Sequence, residues 1–446
     1  MLGLYCYAQL HNGRRFISSG DSIAGAPPER LPRHLKEDPE VRNDAFDQRF
    51  QQSRPVDSAG SPVPEVFGPN EGLLEGRQLT EGTVRGLTIL VNFQDLQTPI
   101  TKDEVSDMLN AENYKVNGNY CSVREYYRLM SSGKLDYQNV VVGPITLSRN
   151  KNYYTANPLM AEALNMVLDM GIINLSDFDS KKEGILDAVS FLYAGKVVYK
   201  DWLWPHNFTL DWSANGYRTE LYQISALGNN ADELSIGTFC HESGHMLCRF
   251  PDLYDYGRRD GDFSSSAGLG GYCLMSSGNH ADGGRTPIAI CAYLRNLVGW
   301  CPNVVDLTEG GQFAAGHSAY DTIYKYPTPS DNEYFLIENR SQLGLDSFLP
   351  ASGLAIYHCD IKGSNEYEAG SHARHYQCAL LQADGRFDLE QNNNRGDQPD
   401  LFTLVPGEAA NANTTPSTRL WNGNDSGLRV SDIGAAGESI DFRVGG

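Results

Sequence analysis

Apolar and polar positions divide the chain into stretches of different period. Leu4 to Leu10 and Arg14 to Ser18 flank Asn12-Gly13, a dipeptide suited to a tight two-residue turn, and predict a hairpin over residues 1–20. Residues 21–80 hold few apolar side chains among many Pro, Arg, Glu, Asp, Ser and Gly, which predicts an extended, weakly structured segment. The pattern changes at Gly86: Leu87 to Phe93 is a continuous apolar run, and so is Ala188 to Val198, each a buried strand. Several helices are marked by their ends. Ser122 and Glu125 form a capping box before Tyr126, Leu129 and Met130, with Gly133 as the stop. Asn157-Pro158 opens a helix that ends at Gly171, and Asn230 caps one running from about Ala231 to Leu247. Thr286-Pro287 opens another, with Ile290, Tyr293, Leu294, Leu297 and Val298 on one face and Gly299 at its end. Beyond Trp300, short runs (322–326, 334–338, 353–358, 428–433, 439–444) separated by Gly, Asn, Asp and Pro read as strands.

The expected architecture is therefore α+β. An N-terminal region (1–82) precedes a domain with a mixed sheet (83–305) and a β-rich C-terminal domain (306–446). A length of 446 residues gives such domains room for a sizeable core. The formal charge of −20 argues against nucleic acid and anionic membrane surfaces as partners, and no apolar run reaches the length of a membrane span. Met1 to Ala8 is too short for a secretion signal and lacks the basic flank, so any such signal is expected upstream. The nine cysteines are odd in number and form no CxxC pair, which fits small buried hydrophobes better than a disulfide framework.

Chemistry enters at His241-Glu242-Ser243-Gly244-His245. Residues four apart on a helix share a face, so both imidazoles can grip one zinc ion while Glu242 reaches the attacking water and takes its proton. Ile236, Phe239, Cys240 and Leu247 mark the apolar side of that helix, and the two histidines project from the other. Catalytic zinc usually takes a third protein ligand. The next Glu after Glu242 is Glu309, so the nearest oxygen donors are Asp252, the first choice, and Asp255, the alternative. Pro251 ends the helix and lets the chain turn back beneath the ion. Leu274 to Gly278 can form a tight turn with Met275 under the metal.

These blocks resemble the M6, or immune-inhibitor-A-like, metallopeptidases, whose signature is H-E-x-G-H, then P-D-x-Y-D, then L-M-x-S-G. Here they stand as residues 241–245, 251–255 and 274–278. The likeness extends to Ile89–Asp95, Ser122–Leu135, Trp204–His206, Glu333–Arg340, Gly353–Asp360, Gly396–Phe402 and Trp421-Asn422. It implies a zincin-type catalytic domain with an active-site helix, a prosegment-like N-terminal region, one catalytic zinc ion, protein or peptide substrates, and a secreted or cell-surface location. Two departures stand out. Cys248-Arg249-Phe250 makes the turn before Pro251 one residue longer than in the family and without its Gly. The frame of a calcium loop in relatives falls on Asp177, Asp179, Glu183 and Asp187, but Lys181 and Lys182 stand where an Asp and a Gly are expected, which opposes Ca²⁺ binding. Two rival functions share these features: a zinc amidase acting on cell-wall peptide, and a non-catalytic binding protein of the same fold. The intact Glu242 speaks against the second.

Overall fold

The computed structural model describes residues 4–11, 15–24, 72–255, 265–330, 332–366 and 375–445. The chain forms two compact units, Met1–Val66 with Tyr256–Ser265, and Phe67–Asp255 with Ser266–Gly446. In the first, β1 (Leu4–His11) and β2 (Arg15–Ala24) pair antiparallel with Leu10 opposite Phe16, the hairpin expected around Asn12-Gly13, with its second strand running past residue 20. The Asn12-Gly13 turn and residues 25–71 lie outside the described residues.

The second unit is built on a mixed sheet. Its elements, in chain order, are β3 (Gly82–Asn92), α1 (Lys102–Asn110), α2 (Val123–Met130), β4 (Leu135–Thr146), α3 (Lys151–Ala156), α4 (Met160–Asp169), β5 (Ala188–Tyr193), β6 (His206–Thr209), the short pair β7 (Ser213–Ala214) and β8 (Tyr217–Arg218), and β9 (Leu221–Ala226). The strand order is β4-β3-β5-β9-β6; β6 alone runs antiparallel and forms an edge. The apolar run in β3 serves both faces: Leu90 joins one core cluster, while Leu87, Ile89 and Val91 join the other. The Ser122–Glu125 capping box of α2 is present in full, and Gly133 takes a positive φ of 83° past its end.

Two helices are shorter than the sequence suggests. α5 spans Gly237–Cys248, not Ala231–Leu247. Asn230 caps only a 3₁₀ turn over Ala231–Glu233, after which Leu234 is extended. The stretch before Gly237 is held out of the helix by Asn119, whose side chain accepts from Ile236 N–H at 3.2 Å and donates to the Leu234 carbonyl at 2.9 Å. Only glycine fits at 237 itself, where a β-carbon would lie 2.0 Å from the Asn279 carbonyl oxygen. α6 spans only Ala292–Leu297. The residues after Pro287 are drawn out of the helix because distant groups take their backbone donors: Ile288 N–H bonds the Gly278 carbonyl and Ala289 N–H the Asp346 carboxylate.

The C-terminal part is β-rich, as expected. Its strands are β10 (Asn303–Asp306), β11 (Gly311–Gly316), β12 (Thr322–Pro327), β13 (Glu333–Arg340), β14 (Gly353–Asp360), β15 (Cys378–Leu380), β16 (Val405–Ala410), β17 (Val430–Ile433) and β18 (Ser439–Val444). They form a five-stranded sheet, β10-β12-β13-β14-β15, and a four-stranded sheet, β11-β18-β17-β16. Alternation along β13 splits its side chains between cores. Phe335 and Ile337 pack toward the four-stranded sheet, and Tyr334 and Leu336 toward the cluster that contains α5. The fold is α+β. Among the described residues no helix is long and apolar enough to cross a membrane. The cysteines from Cys121 to Cys378 are all free and buried.

Segment 72–81 runs against the back of α5. Leu74 N–H bonds the Arg249 carbonyl at 2.7 Å, Leu79 N–H bonds the Leu247 carbonyl at 2.8 Å, and the Trp300 indole N–H bonds the Thr80 carbonyl at 2.8 Å. Leu73 and Leu79 are buried beside them.

Candidate metal centre

α5 is buried almost throughout, and its polar side chains are held from several directions. From β9, Gln223 donates to the Ser243 hydroxyl at 3.1 Å. Tyr127 of α2 donates to the Cys240 carbonyl. On the remaining side the two imidazoles converge. Nε2 of His241 and Nε2 of His245 are 3.2 Å apart, and Asp252 Oδ1 lies 3.2 Å from the first and 3.3 Å from the second.

The other nitrogen of each ring fixes what these three atoms are. His241 Nδ1 faces the Leu274 carbonyl at 2.9 Å, and His245 Nδ1 faces the Phe250 carbonyl at 2.6 Å. A carbonyl only accepts, so both Nδ1 atoms carry a proton; in the neutral rings that a metal requires, the Nε2 lone pairs then point toward each other and toward a carboxylate oxygen. Three such acceptors about one centre repel unless a cation, a metal ion or in its absence a proton on His245, stands between them. Metal–nitrogen and metal–oxygen bonds of about 2.0–2.2 Å give tetrahedral edges of about 3.3–3.6 Å, and the observed triangle lies at the short end of that range. The residues fit a tetrahedral divalent ion.

Asp252 reaches this position despite the longer turn. Arg249 takes the left-handed conformation (φ 59°, ψ 32°) that a Gly usually supplies after a helix, and its N–H bonds the Gly244 and His245 carbonyls. Its guanidinium donates to the Arg77 carbonyl at 2.9 Å and lies 3.6 Å from Glu220, contacts that offset the strain. The Asp252 backbone is then held by a residue far away in sequence. Its N–H donates to Glu366 Oε1 at 3.0 Å, and the next N–H, of Leu253, donates to the Met275 carbonyl at 2.8 Å. Asp255 lies outside the triangle and pairs by backbone with Ser266. Met275 lies beneath α5, so that a β-carbon on Gly244 would meet its Sδ at 2.7 Å. One turn thus supplies the carbonyl that orients His241, the carbonyl that holds the Asp252 loop, and the thioether that fills the space under the helix.

Glu242 is buried, and the Asn207 backbone of edge strand β6 hydrogen-bonds it. Burial pushes its carboxyl above the ordinary value, partly countered by the two histidines. Burial also works against a charged His245, but the Asp252 carboxylate outweighs it and raises the ring's pKa to about 9. Against its own burial, Asp252 is held well below the carboxylate range by His245 and His241.

The Asp177–Asp187 segment does not converge in the same way. Asp179 accepts from the backbone of Glu183 and Gly184 at 3.0 and 2.8 Å, Asp187 pairs with Arg77 at 3.0 Å, and Asp177 is exposed. Arg77 also lies 3.5 Å from Glu183, and Lys181 donates to the Gln78 carbonyl, so a side-chain cation already serves this turn. Reasoning from the sequence misses Glu366. It is 114 residues from Asp252 and carries no motif, so only the fold reveals it.

No family model matches the chain. Over 340 residues it is 24% identical to the pre-pro-metalloprotease PrtV of Vibrio cholerae serotype O1, in strains M66-2 and El Tor Inaba N16961. The alignment takes in 61% of this chain and 35% of the relative, so the chain spans about a third of the length of the curated relatives it matches. The chain is a distant relative of a metalloprotease. Among solved structures, OgpA from Akkermansia muciniphila is similar at a TM-score of 0.26 and 8% identity, over 67% of this chain and 94% of that one, too loose a likeness to show a shared fold.

Proposed function

We propose that the chain is a zinc-dependent endopeptidase of the immune-inhibitor-A-like kind, acting on protein or peptide substrates. The observation that carries this reading is the triangle of His241 Nε2, His245 Nε2 and Asp252 Oδ1, with Glu242 one residue along the same helix. The distant relationship to a pre-pro-metalloprotease supports it. A zinc ion held there would polarise the scissile carbonyl and make the attacking water more acidic. The rest is done by the chain. The two Nδ1–H···O=C bonds lock the ring orientations, and Asp252 supplies the balancing negative charge. Glu242 accepts the water proton at its carboxylate and returns it to the leaving nitrogen. Its raised pKa brings it toward the working range of a general base.

In this reading residues 1–82 belong to a prosegment that keeps the enzyme latent, 83–305 to the catalytic domain and 306–446 to a β-rich domain, in a secreted or cell-surface protein. The test is zinc quantification with casein or gelatin cleavage, after removal of the inhibitory segment, on native protein and Glu242→Gln. The reading requires about one zinc per chain in both and a rate lower by roughly 10²–10⁴ in the variant. Equal rates in the two proteins would refute it.

A further inference from the structure

A second group of acids lies in the loop between β15 and β16. One carboxylate oxygen from each of Asp384, Asp397 and Asp400 lies within 4.8 Å of the other two. The protein uses part of each carboxylate. Asp384 Oδ1 accepts from Arg386 N–H at 3.0 Å, and Asp397 Oδ2 accepts from the Asn394 amide at 3.0 Å. Asp400 Oδ2 accepts from Asp397 N–H at 2.8 Å and from the Tyr272 hydroxyl at 3.0 Å. The second oxygens, Asp384 Oδ2, Asp397 Oδ1 and Asp400 Oδ1, are buried and accept no hydrogen bond. Asp400 is only 1% exposed, and the one cation drawn to the group among the described residues is the exposed Arg386, 3.3 Å from Asp384 Oδ2.

We propose that Asp384, Asp397 and Asp400 form a binding site for a hard divalent cation, calcium in preference to magnesium. Buried carboxylates with oxygens left over repel one another, and a cation removes that penalty. Burial, reinforced by Asp397 and Asp384, pushes Asp400 up to about 6, and Glu390 beside it is pushed up to about 7, so the loop carries an excess of acid that its own side chains do not neutralise. All-oxygen donors select a hard ion. Calcium takes six to eight oxygens at 2.3–2.6 Å in tolerant geometry, and Asp384 and Asp397 are half-buried, which leaves room for water to complete the shell. Magnesium demands a near-regular octahedron at 2.0–2.1 Å, which three carboxylates pinned by the bonds described above are poorly placed to offer.

The site would fasten the loop onto the metal centre. Ala267 N–H bonds the Leu389 carbonyl at 2.8 Å, Gly271 N–H bonds the Arg395 carbonyl at 2.6 Å, and the Tyr272 hydroxyl also reaches the Asp397 carbonyl at 3.1 Å. Residues 267–272 lead directly into Leu274 and Met275. An ion among the three aspartates therefore steadies the turn that orients His241, whether or not the protein is a protease.

The experiment uses the full chain saturated with zinc. Terbium serves as a luminescent stand-in for calcium, sensitised by Tyr272 beside Asp400. Native protein is expected to show saturable terbium emission that calcium displaces at ten-fold or more lower concentration than magnesium, together with a melting temperature raised by millimolar calcium. Asp384→Asn/Asp397→Asn is expected to lose both responses while keeping its zinc, and Asp177→Asn to keep both. Should the double variant fold poorly, Asp384→Asn alone must weaken calcium at least three-fold. Native protein without calcium-displaceable emission, equal displacement by magnesium, or a folded variant that binds like native would overturn the proposal.

Discussion

Gly244 and Met275 meet across the floor of the metal centre, where a β-carbon on the glycine would stand 2.7 Å from the methionine sulfur. On an exposed helix Gly→Ala stabilises by about 1 kcal/mol. Here the added methyl must displace Met275, and overpacking of this kind costs about 1–3 kcal/mol. Gly244→Ala is therefore expected to lower stability by about 1 kcal/mol net and to weaken zinc binding, because Leu274 and His241 shift with the turn. Denaturant unfolding of the zinc-loaded protein checks this; a more stable variant contradicts it.

The two candidate third ligands are separable. Asp252→Ala removes one corner of the triangle and is expected to weaken zinc at least 100-fold, whereas Asp255→Asn, outside it, should bind within three-fold of native. Competition against a chromophoric chelator measures both. The reverse ranking would move the third ligand to Asp255.

Glu366 is expected to act on the metal through the Asp252 backbone. Glu366→Ala removes the acceptor 3.0 Å from Asp252 N–H and should weaken zinc by about 10–100-fold, the usual range for groups that orient ligands. Glu366→Gln keeps an oxygen for the same N–H and should recover most of that loss. If Ala and Gln were indistinguishable from native, the contact would have no part in holding the loop.

The centre also predicts a pH dependence. Without metal, His245 has a pKa raised from 6.5 to about 9, so its contribution to folding is complete below 6.5 and is lost as pH climbs through about 9. Asp252, shifted down from 3.8, contributes above that value and loses its contribution only in strong acid. The metal-free protein thus gains most from this pair between about pH 4 and 6.5. Zinc must displace the same proton, so its apparent affinity should rise with pH and level off above about 9. Calorimetry in buffers of different ionisation enthalpy would report the released protons, and an affinity independent of pH from 6 to 9 would contradict the protonated pair.

The sequence was most legible where local chemistry decides. The Ser122–Glu125 box, the apolar run of β3 and the alternation of β18 are each specified within a few residues. The site was half legible. His241, Glu242 and His245 are read from one helical turn, and Pro251-Asp252 from its end. The start of α5 was not, because Asn119, more than a hundred residues away, holds the backbone of Leu234 and Ile236, and Arg249 occupies a conformation that its residue type does not advertise. Glu366 and the three loop aspartates depend on contacts between distant parts of the chain, where periodicity carries no information.

The tether formed by residues 72–81 bears on how a latent precursor could mature. A cut at residue 82 would strip two main-chain hydrogen bonds and two buried leucines from the helix that presents both imidazoles, along with the carbonyl that anchors Trp300. Activation by such a cut would loosen the very machinery it unmasks. Processing compatible with an ordered centre therefore ends upstream of Gly72, short of the sequence-based boundary at residue 82, and Edman sequencing of the active form should find its first residue there.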